Sequence, residues 1–310
     1  MLDAVSIVVT LFIVMAVGYF LSYRKLIDDK VATFISKLIV NFGVPSTAIV
    51  NMVAHFTRNT IGAALSSSLI AFLTILIGYV VGGLIAALFR VNRKRRGLFA
   101  GMIACANTMF IGLPVCQALY GDNASYVLVY DIAHSFLFWT LGIFLMTVDG
   151  DEQNSFSAKN LLKIFSPGFI GLIVSVLLIV LGIQLPVFLE KTLSYFGSLC
   201  TPLALIYCGY VLQKSGLRSI RFEKDMILVL LGRAVITPLL FIAACKIFGL
   251  GPEISRAFVT TAAMPVMNNA PIMAKVYGSD YVFGTQCLTV SMIVCLLMIP
   301  LWSMMLNMIF

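Results

Sequence analysis

Long apolar runs, cut by short clusters of charged and turn residues, dominate this chain. They fall at about 4–22, 31–53, 61–89, 98–119, 124–147, 164–184, 190–212, 226–248, 256–277 and 281–308. Each holds about 19 residues or more, which at 1.5 Å per residue covers the ~30 Å hydrocarbon core of a bilayer. In lipid every backbone polar group must be satisfied internally, and the runs lack strict alternation, so they read as helices and not as barrel strands. The pattern predicts an all-α membrane protein with ten transmembrane helices and no separate soluble domain. No basic leader precedes the first run and no small-residue cleavage site follows it, so residues 4–22 are expected to stay as a membrane helix.

Composition removes the competing classes. Of the 310 residues 61% are hydrophobic and 11% charged, where soluble domains have about 45–50% and about 25%. Disorder, coiled coil and collagen need high charge, heptads or a glycine triplet that are missing here. Cys105, Cys116, Cys200, Cys208, Cys245, Cys287 and Cys295 all lie in apolar runs and read as small buried hydrophobes, with no disulfide and no metal cluster expected.

The net charge of +8 is unevenly placed. Odd-numbered loops hold fifteen of the 21 lysines and arginines, among them Arg93-Lys94-Arg95-Arg96, Lys159, Lys163, Arg218 and Arg221. Even-numbered loops hold only Arg58, Lys191, Lys246 and Arg256, with Lys37 and Arg233 inside helices. By the positive-inside rule the odd loops are cytoplasmic and both termini lie outside the cell membrane. The basic run at 93–96 is then a topology signal, and no nucleic-acid partner is expected.

A repeat is also visible. Pro45 and Pro202, Pro114 and Pro271, and Tyr120-Gly121 and Tyr277-Gly278 are each 157 residues apart. The matched spans are equivalent by count, second with seventh and fourth with ninth. The chain is expected to be two five-helix repeats, residues 1–148 and 164–310, joined by a cytoplasmic linker at 149–163. Because five is odd, the second repeat enters the membrane from the opposite side and the repeats are inverted. The paired Tyr-Gly steps read as helix caps.

Inverted repeats are typical of secondary transporters, which bind substrate near the midplane at interrupted helices. The fourth span carries Asn107-Thr108-Met109-Phe110-Ile111-Gly112-Leu113-Pro114, and the ninth carries Met264-Pro265-Val266-Met267-Asn268-Asn269-Ala270-Pro271. Proline removes a donor and clashes with the carbonyl four residues back, and glycine lowers helix propensity. Broken helices expose donors at one stub and acceptors at the other, and asparagine adds both without fixed charge. By helical rise Asn107 lies roughly 15 Å and Asn268 roughly 18 Å from the span ends, near the midplane. The blander reading is two proline kinks with the asparagines as interhelical glue.

These residues also carry a resemblance. Asn-Thr-x-x-x-Gly-x-Pro at 107–114, continuing to Ala118-Leu119-Tyr120-Gly121, with Met264-Pro265 and Asn269-Ala270-Pro271, resembles the auxin efflux carrier family. The likeness spans the chain and is closest to short prokaryotic members. It implies a fold similar to sodium/proton antiporters and bile acid transporters, with helices 4 and 9 crossing in a transport domain of helices 3–5 and 8–10. Helices 1, 2, 6 and 7 would form the scaffold, and an elevator-like movement would carry substrate. Asn107, Gly112 and Pro114 match the family's crossover motif and Pro271 its counterpart; Thr108, Asn268 and Asn269 stand within the same breaks. The implied substrates are small organic anions, either dicarboxylates such as malate or malonate or an auxin-like weak acid.

Ionisable residues inside a membrane are costly and therefore functional candidates. Asp131 and His134, three apart, share one helical face and form either a proton relay or cation site, or a structural pair. Arg233 could neutralise a substrate carboxylate, pair with Asp131 or snorkel. Lys37 reads as an interface anchor and His55 as a solvated loop residue. The alternatives are a sodium- or proton-coupled cation or solute carrier using Asp131, potential-driven uniport and, remotely, an intramembrane enzyme, for which only Asp131 with His134 offers an acid-base cluster. Expected partners are an organic anion, the bilayer, H+ or Na+ where transport is coupled, and a second copy through the scaffold helices. No cofactor or metal is expected.

Overall fold

The computed structural model describes residues 2–59, 61–150, 167–214, 220 and 222–310. The expected linker at 149–163 lies outside these residues except for positions 149 and 150, and so do Lys159, Lys163, Arg218 and Arg221. Among the described residues the chain is all-helical, with helix on each of the ten apolar runs.

In the first half, α1 is Leu2–Tyr23, and α2 (Asp29–Leu38) passes through a π-turn, Ile39–Gly43, into α3 (Val44–His55). Asp28 starts α2 by accepting from the amides of Lys30 and Val31 at 2.9 and 2.8 Å, an N-cap that satisfies two otherwise orphaned donors. α4 is Ile61–Leu88 and α5 is Arg96–Ala104. After a break, a second π-turn, Thr108–Gly112, leads into α6 (Leu113–Tyr120), then α7 (Ser125–Leu137) and α8 (Ile143–Asp149). The second half contains α9 (Pro167–Leu181), α10 (Val187–Lys214), α11 (Lys224–Leu231), α12 (Thr237–Ile247), α13 (Pro252–Ala262), α14 (Asn269–Tyr277) and α15 (Tyr281–Ile309).

Among the described residues five stretches are long and apolar enough to cross a bilayer as they stand: Asp29–Ala54, Ile61–Leu88, Thr108–Asp149, Val187–Lys214 and Lys224–Ile247. The pair Tyr281–Cys295 and Leu297–Ile309, bent by 52°, adds a sixth. The bend sits four residues before Pro300, where the proline ring displaces a carbonyl. Among the described residues runs four and five join through a tight 3-10 turn at Gly121–Ala124 and count as one stretch, and runs four and nine are interrupted. The expected caps are present: Gly121 and Gly278 follow α6 and α14 with φ of 58° and 78°, a region glycine enters without steric cost.

Proline accounts for three of the four wide turns among the described residues, the fourth, Phe138–Gly142, being followed by no proline. Pro45, Pro114 and Pro238 each stand at the second position of the helix that follows a π-turn, so the wider turn absorbs the missing donor. The carbonyl of Ala234, four before Pro238, is taken by the Trp302 indole N–H at 2.9 Å.

The helix surfaces that meet lipid are apolar: Leu84 and Leu88 of α4 are 64% and 77% exposed. Polar groups turn inward instead. α1 packs along α10, α10 along α3, and α3 along α9, while α4 packs on α5 and α7, α12 on α13, and α14 on α15. At the α1–α10 contact the backbones touch, because a Cβ on Gly209 would strike the Met15 carbonyl and the Tyr19 amide, the close approach that small residues permit between membrane helices. Gly209→Leu is expected to cost about 2 kcal/mol or more through this overlap, read as a melting temperature lower by about 5 °C or more in detergent. Gly62→Ala, where a Cβ meets nothing within 4 Å, is expected to leave it unchanged or higher.

One end of the bundle is tied by charge. Asp149 accepts from the amides of Gly97 and Leu98 at 2.7 and 2.9 Å, capping α5, and from Ser279 Oγ at 3.1 Å. Arg95 faces Glu223 at 2.8 Å and Asp225 and Asp280 at 3.6 Å, with its guanidinium 4.5 Å from the Phe283 ring centroid. Residues distant in sequence are thereby held together at the start of the first broken helix.

Candidate functional site

Both interrupted helices break where Asn and Pro cluster, and the breaks meet. α5 ends at Ala104 and the backbone runs extended through Cys105 before Asn107 opens the next π-turn. α13 ends at Ala262, and α14 begins only at Asn269. Between them, Ala106 and Val266 form one antiparallel bridge, and the Asn107 amide donates to the Pro265 carbonyl at 2.8 Å. The crossing is tight: a Cβ on Gly112 would stand 3.3 Å from the Asn107 carbonyl and 3.5 Å from side-chain atoms of Met264 and Thr261. Glycine is therefore favoured here by close approach, not by a special φ.

The crossing is electrically sorted. α5 and α13 bring their C-terminal ends to it, where unsatisfied carbonyls concentrate partial negative charge. Arg233, 1% exposed, answers both: it donates through Nη1 to the Ile103 carbonyl at 2.8 Å and through Nη2 to the Ala262 carbonyl. Thr237 Oγ1 adds a second bond to the Ile103 carbonyl at 2.9 Å. The π-turn before α6, and α14, present their N-terminal ends instead, with partial positive charge.

Those positive ends face a cavity of about 180 Å³. Asn107, Thr108, Met109 and Phe110 line it from one broken helix and Met267, Asn268 and Asn269 from the other. Val40, Val44, Trp139 and Gly168 supply apolar wall. Asn107 is 2% and Asn268 6% exposed, yet among the described residues Asn107 Nδ2 and both side-chain amide atoms of Asn268 meet no hydrogen-bonding group at good geometry, the Cys208 thiol being the polar neighbour beside Asn268. Asn107 Oδ1 accepts from the Phe110 amide at 3.2 Å, which fixes its side chain over the start of the turn. Buried amides left unpaired cost stability, and here they line the cavity.

Asp131 of α7 closes one side. Its Oδ1 accepts from Thr108 Oγ1 at 2.5 Å and lies 3.2 Å from His134 Nδ1, and its Oδ2 accepts from Ser135 Oγ at 3.0 Å. The helical spacing of three and four puts Asp131, His134 and Ser135 on one face of α7, and Asp131 and His134 are in contact there.

Of the sequence-derived candidates, the structure brings Asn107, Thr108, Asn268, Asn269 and Asp131 to the cavity. Gly112, Pro114 and Pro271 shape the backbone behind it. His134 reaches it only through Asp131. Arg233 neither lines it nor, among the described residues, forms an ion pair with Asp131, and its burial excludes snorkelling; helix ends, which residue types alone do not display, claim its donors. Ser135 and Trp139 were missed, although their spacing of four and eight from Asp131 placed them on the same face. The bond from Thr201 Oγ1 to Gln117 Oε1 at 2.8 Å, which links α10 to α6, also went unseen. Among the described residues no group of three or more His, Cys, Asp or Glu side chains is arranged for a metal.

An all-helical chain with several bilayer-length apolar helices and a buried polar crossing is a multi-pass membrane transport protein in class. Comparison with known proteins agrees: the family described as membrane transport protein matches residues 3–303. The chain belongs to this family, the auxin efflux carrier-like family to which the motifs point. It is similar to an uncharacterized transporter of Methanothermobacter thermautotrophicus, 24% identical over 96% of this chain and 97% of that protein. It is also similar to an uncharacterized transporter of Methanocaldococcus jannaschii, 21% identical over 96% and 97%. The uncharacterized transporter YfdV of Escherichia coli K12 is 20% identical over 94% and 93%.

Proposed function

We propose that this protein is a secondary carrier or uniporter for small organic anions in the cell membrane. One observation carries the reading: two half-helix N-termini and two buried, poorly paired asparagines line one cavity, while Arg233 neutralises the opposite, negative ends. An anion gains from such N-termini and amides without needing a fixed positive charge. In this reading the chain is two inverted five-helix repeats, residues 1–148 and 164–310, with both termini outside. The packing of α1, α3, α9 and α10 on one another supports a scaffold made from spans 1, 2, 6 and 7. The Arg95 cluster and the crossing support a transport domain of spans 3–5 and 8–10 that moves as one elevator-like body.

Purified protein in liposomes is expected to move a labelled monocarboxylate or a dicarboxylate such as malonate down an imposed gradient. No flux for any carboxylate in a broad panel would sink the reading. The Asp131 carboxylate in the same cavity favours one second reading, a carrier whose cargo is a cation. Flux of sodium or another cation with no carboxylate present would support it.

A further inference from the structure

The cavity has one feature that opposes an anion. Among its described lining residues the only ionisable side chain is Asp131, and no described Lys, Arg or His lines it. Asp131 is also not remote from the favourable end. Its Oδ1 takes the hydroxyl of Thr108 at 2.5 Å, and Thr108 is the first residue of the π-turn whose N-terminus faces the cavity. An ionised Asp131 therefore already occupies part of the positive potential that a substrate carboxylate would use. Two carboxylates sharing such a site do not both stay ionised.

The groups around Asp131 decide how its charge can be removed. Oδ2 is held by Ser135 Oγ at 3.0 Å, and His134 Nδ1 stands 3.2 Å from Oδ1. His134 is fully buried, and among the described residues its Nε2 meets no partner at good geometry, the Cys105 thiol being the polar group that approaches the ring. Cys105, from the break after α5, lies beside His134 and is 3.2 Å from Tyr79 Oη of α4. Tyr130 of α7 lies beside Arg233, whose Nη1 and Nη2 donate to the Ile103 and Ala262 carbonyls and which, among the described residues, forms no ion pair with Asp131. No cation is free to pair with Asp131 among the described groups that surround it. One proton added to the Asp131–His134 pair, making it net neutral, is the compensating charge that the geometry can accept, since Oδ1 and Nδ1 already sit 3.2 Å apart.

We propose that the carrier binds each organic anion together with one proton, taken up by the Asp131–His134 pair so that the pair passes from one negative charge to none. The inference rests on the organic-anion reading. The proton comes from water on the side to which the cavity opens and leaves with the substrate on the other. A monocarboxylate would thus cross electroneutrally, its negative charge matched by the proton. Transport of this kind accumulates the anion on the alkaline side.

The test uses full-length purified protein and labelled phenylacetate, a monocarboxylate with an apolar ring suited to Val44, Phe110 and Trp139, across pH 6 to 8.5, where the probe stays ionised. Affinity is expected to weaken about tenfold per pH unit above the midpoint of the pair, as linkage requires for one proton. Adding phenylacetate to weakly buffered protein should take up about one proton per ligand bound. Asp131→Asn should bind with no pH dependence and no proton uptake, and Asp131→Glu should restore both. Binding by the wild-type protein that is independent of pH and takes up no proton would overturn the coupling and leave the anion reading standing. A requirement for sodium at fixed pH in place of the pH dependence would overturn it equally. Failure of phenylacetate, pyruvate and every other carboxylate tested to bind either protein at any pH would remove the anion reading and the coupling together.

Discussion

Arg233→Ala is expected to lower the melting temperature of the purified protein by on the order of 10 °C. The guanidinium donates to the Ile103 carbonyl at 2.8 Å and to the Ala262 carbonyl. Hydrogen bonds from a charged donor contribute about 1.5–3 kcal/mol each, and their removal strands two buried helix ends. Together they amount to about 3–6 kcal/mol, and a protein of this size loses roughly 2–4 °C per kcal/mol. Arg233→Lys should fall between, because a compact ammonium lacks the fork that spans two carbonyls. Thermal unfolding in detergent followed by fluorescence or light scattering measures the effect. A variant as stable as the parent would mean that dehydrating the guanidinium costs as much as its bonds return, and the charge-sorting argument would lose its base.

Asn268→Ala is expected to act in the opposite way, weakening carboxylate binding by about 10- to 100-fold with no loss of stability. The range follows from one or two hydrogen bonds to a charged ligand at about 1.5–3 kcal/mol each. Because both Asn268 side-chain amide atoms meet no partner at good geometry among the described residues, truncation removes a poorly paired buried group, and the melting temperature should stay level or rise. Asn107→Ala should cost similar affinity but also some stability, since Oδ1 accepts from the Phe110 amide. Binding and unfolding measured on the same preparations separate the two effects. An Asn268 variant that binds normally, or that unfolds more easily, would return the asparagine to a role as interhelical glue.

The bilayer-length runs, the two breaks and the Asp131–His134 pair were legible in the sequence, because each depends on local pattern: apolar length, the backbone restrictions of proline and glycine, and helical spacing. Asn107 and Asn268 were also legible, as polar residues deep within apolar spans. What escaped depends on contacts between distant segments. Arg233 is a lone cation in its span, and nothing near it in sequence says that its partners are the carbonyls of Ile103 and Ala262. Thr108 appears as part of a motif, yet its bond to Asp131 requires the packing of the broken helix on α7. The π-turns before Pro45, Pro114 and Pro238 were not anticipated either, since proline alone does not say whether a helix stops, kinks or widens.

The paired backbone at Ala106 and Val266 has a further meaning for how the molecule tolerates change. Each arm of the crossing is templated by the other, so neither half of the chain owns the geometry it contributes. A residue that reshapes the arm at Pro265 also moves the amide of Asn107, 158 positions earlier. Tuning of cargo preference by substitution is therefore expected to proceed in concert across the two halves, with the compensating change sitting in the opposite arm and not beside the first.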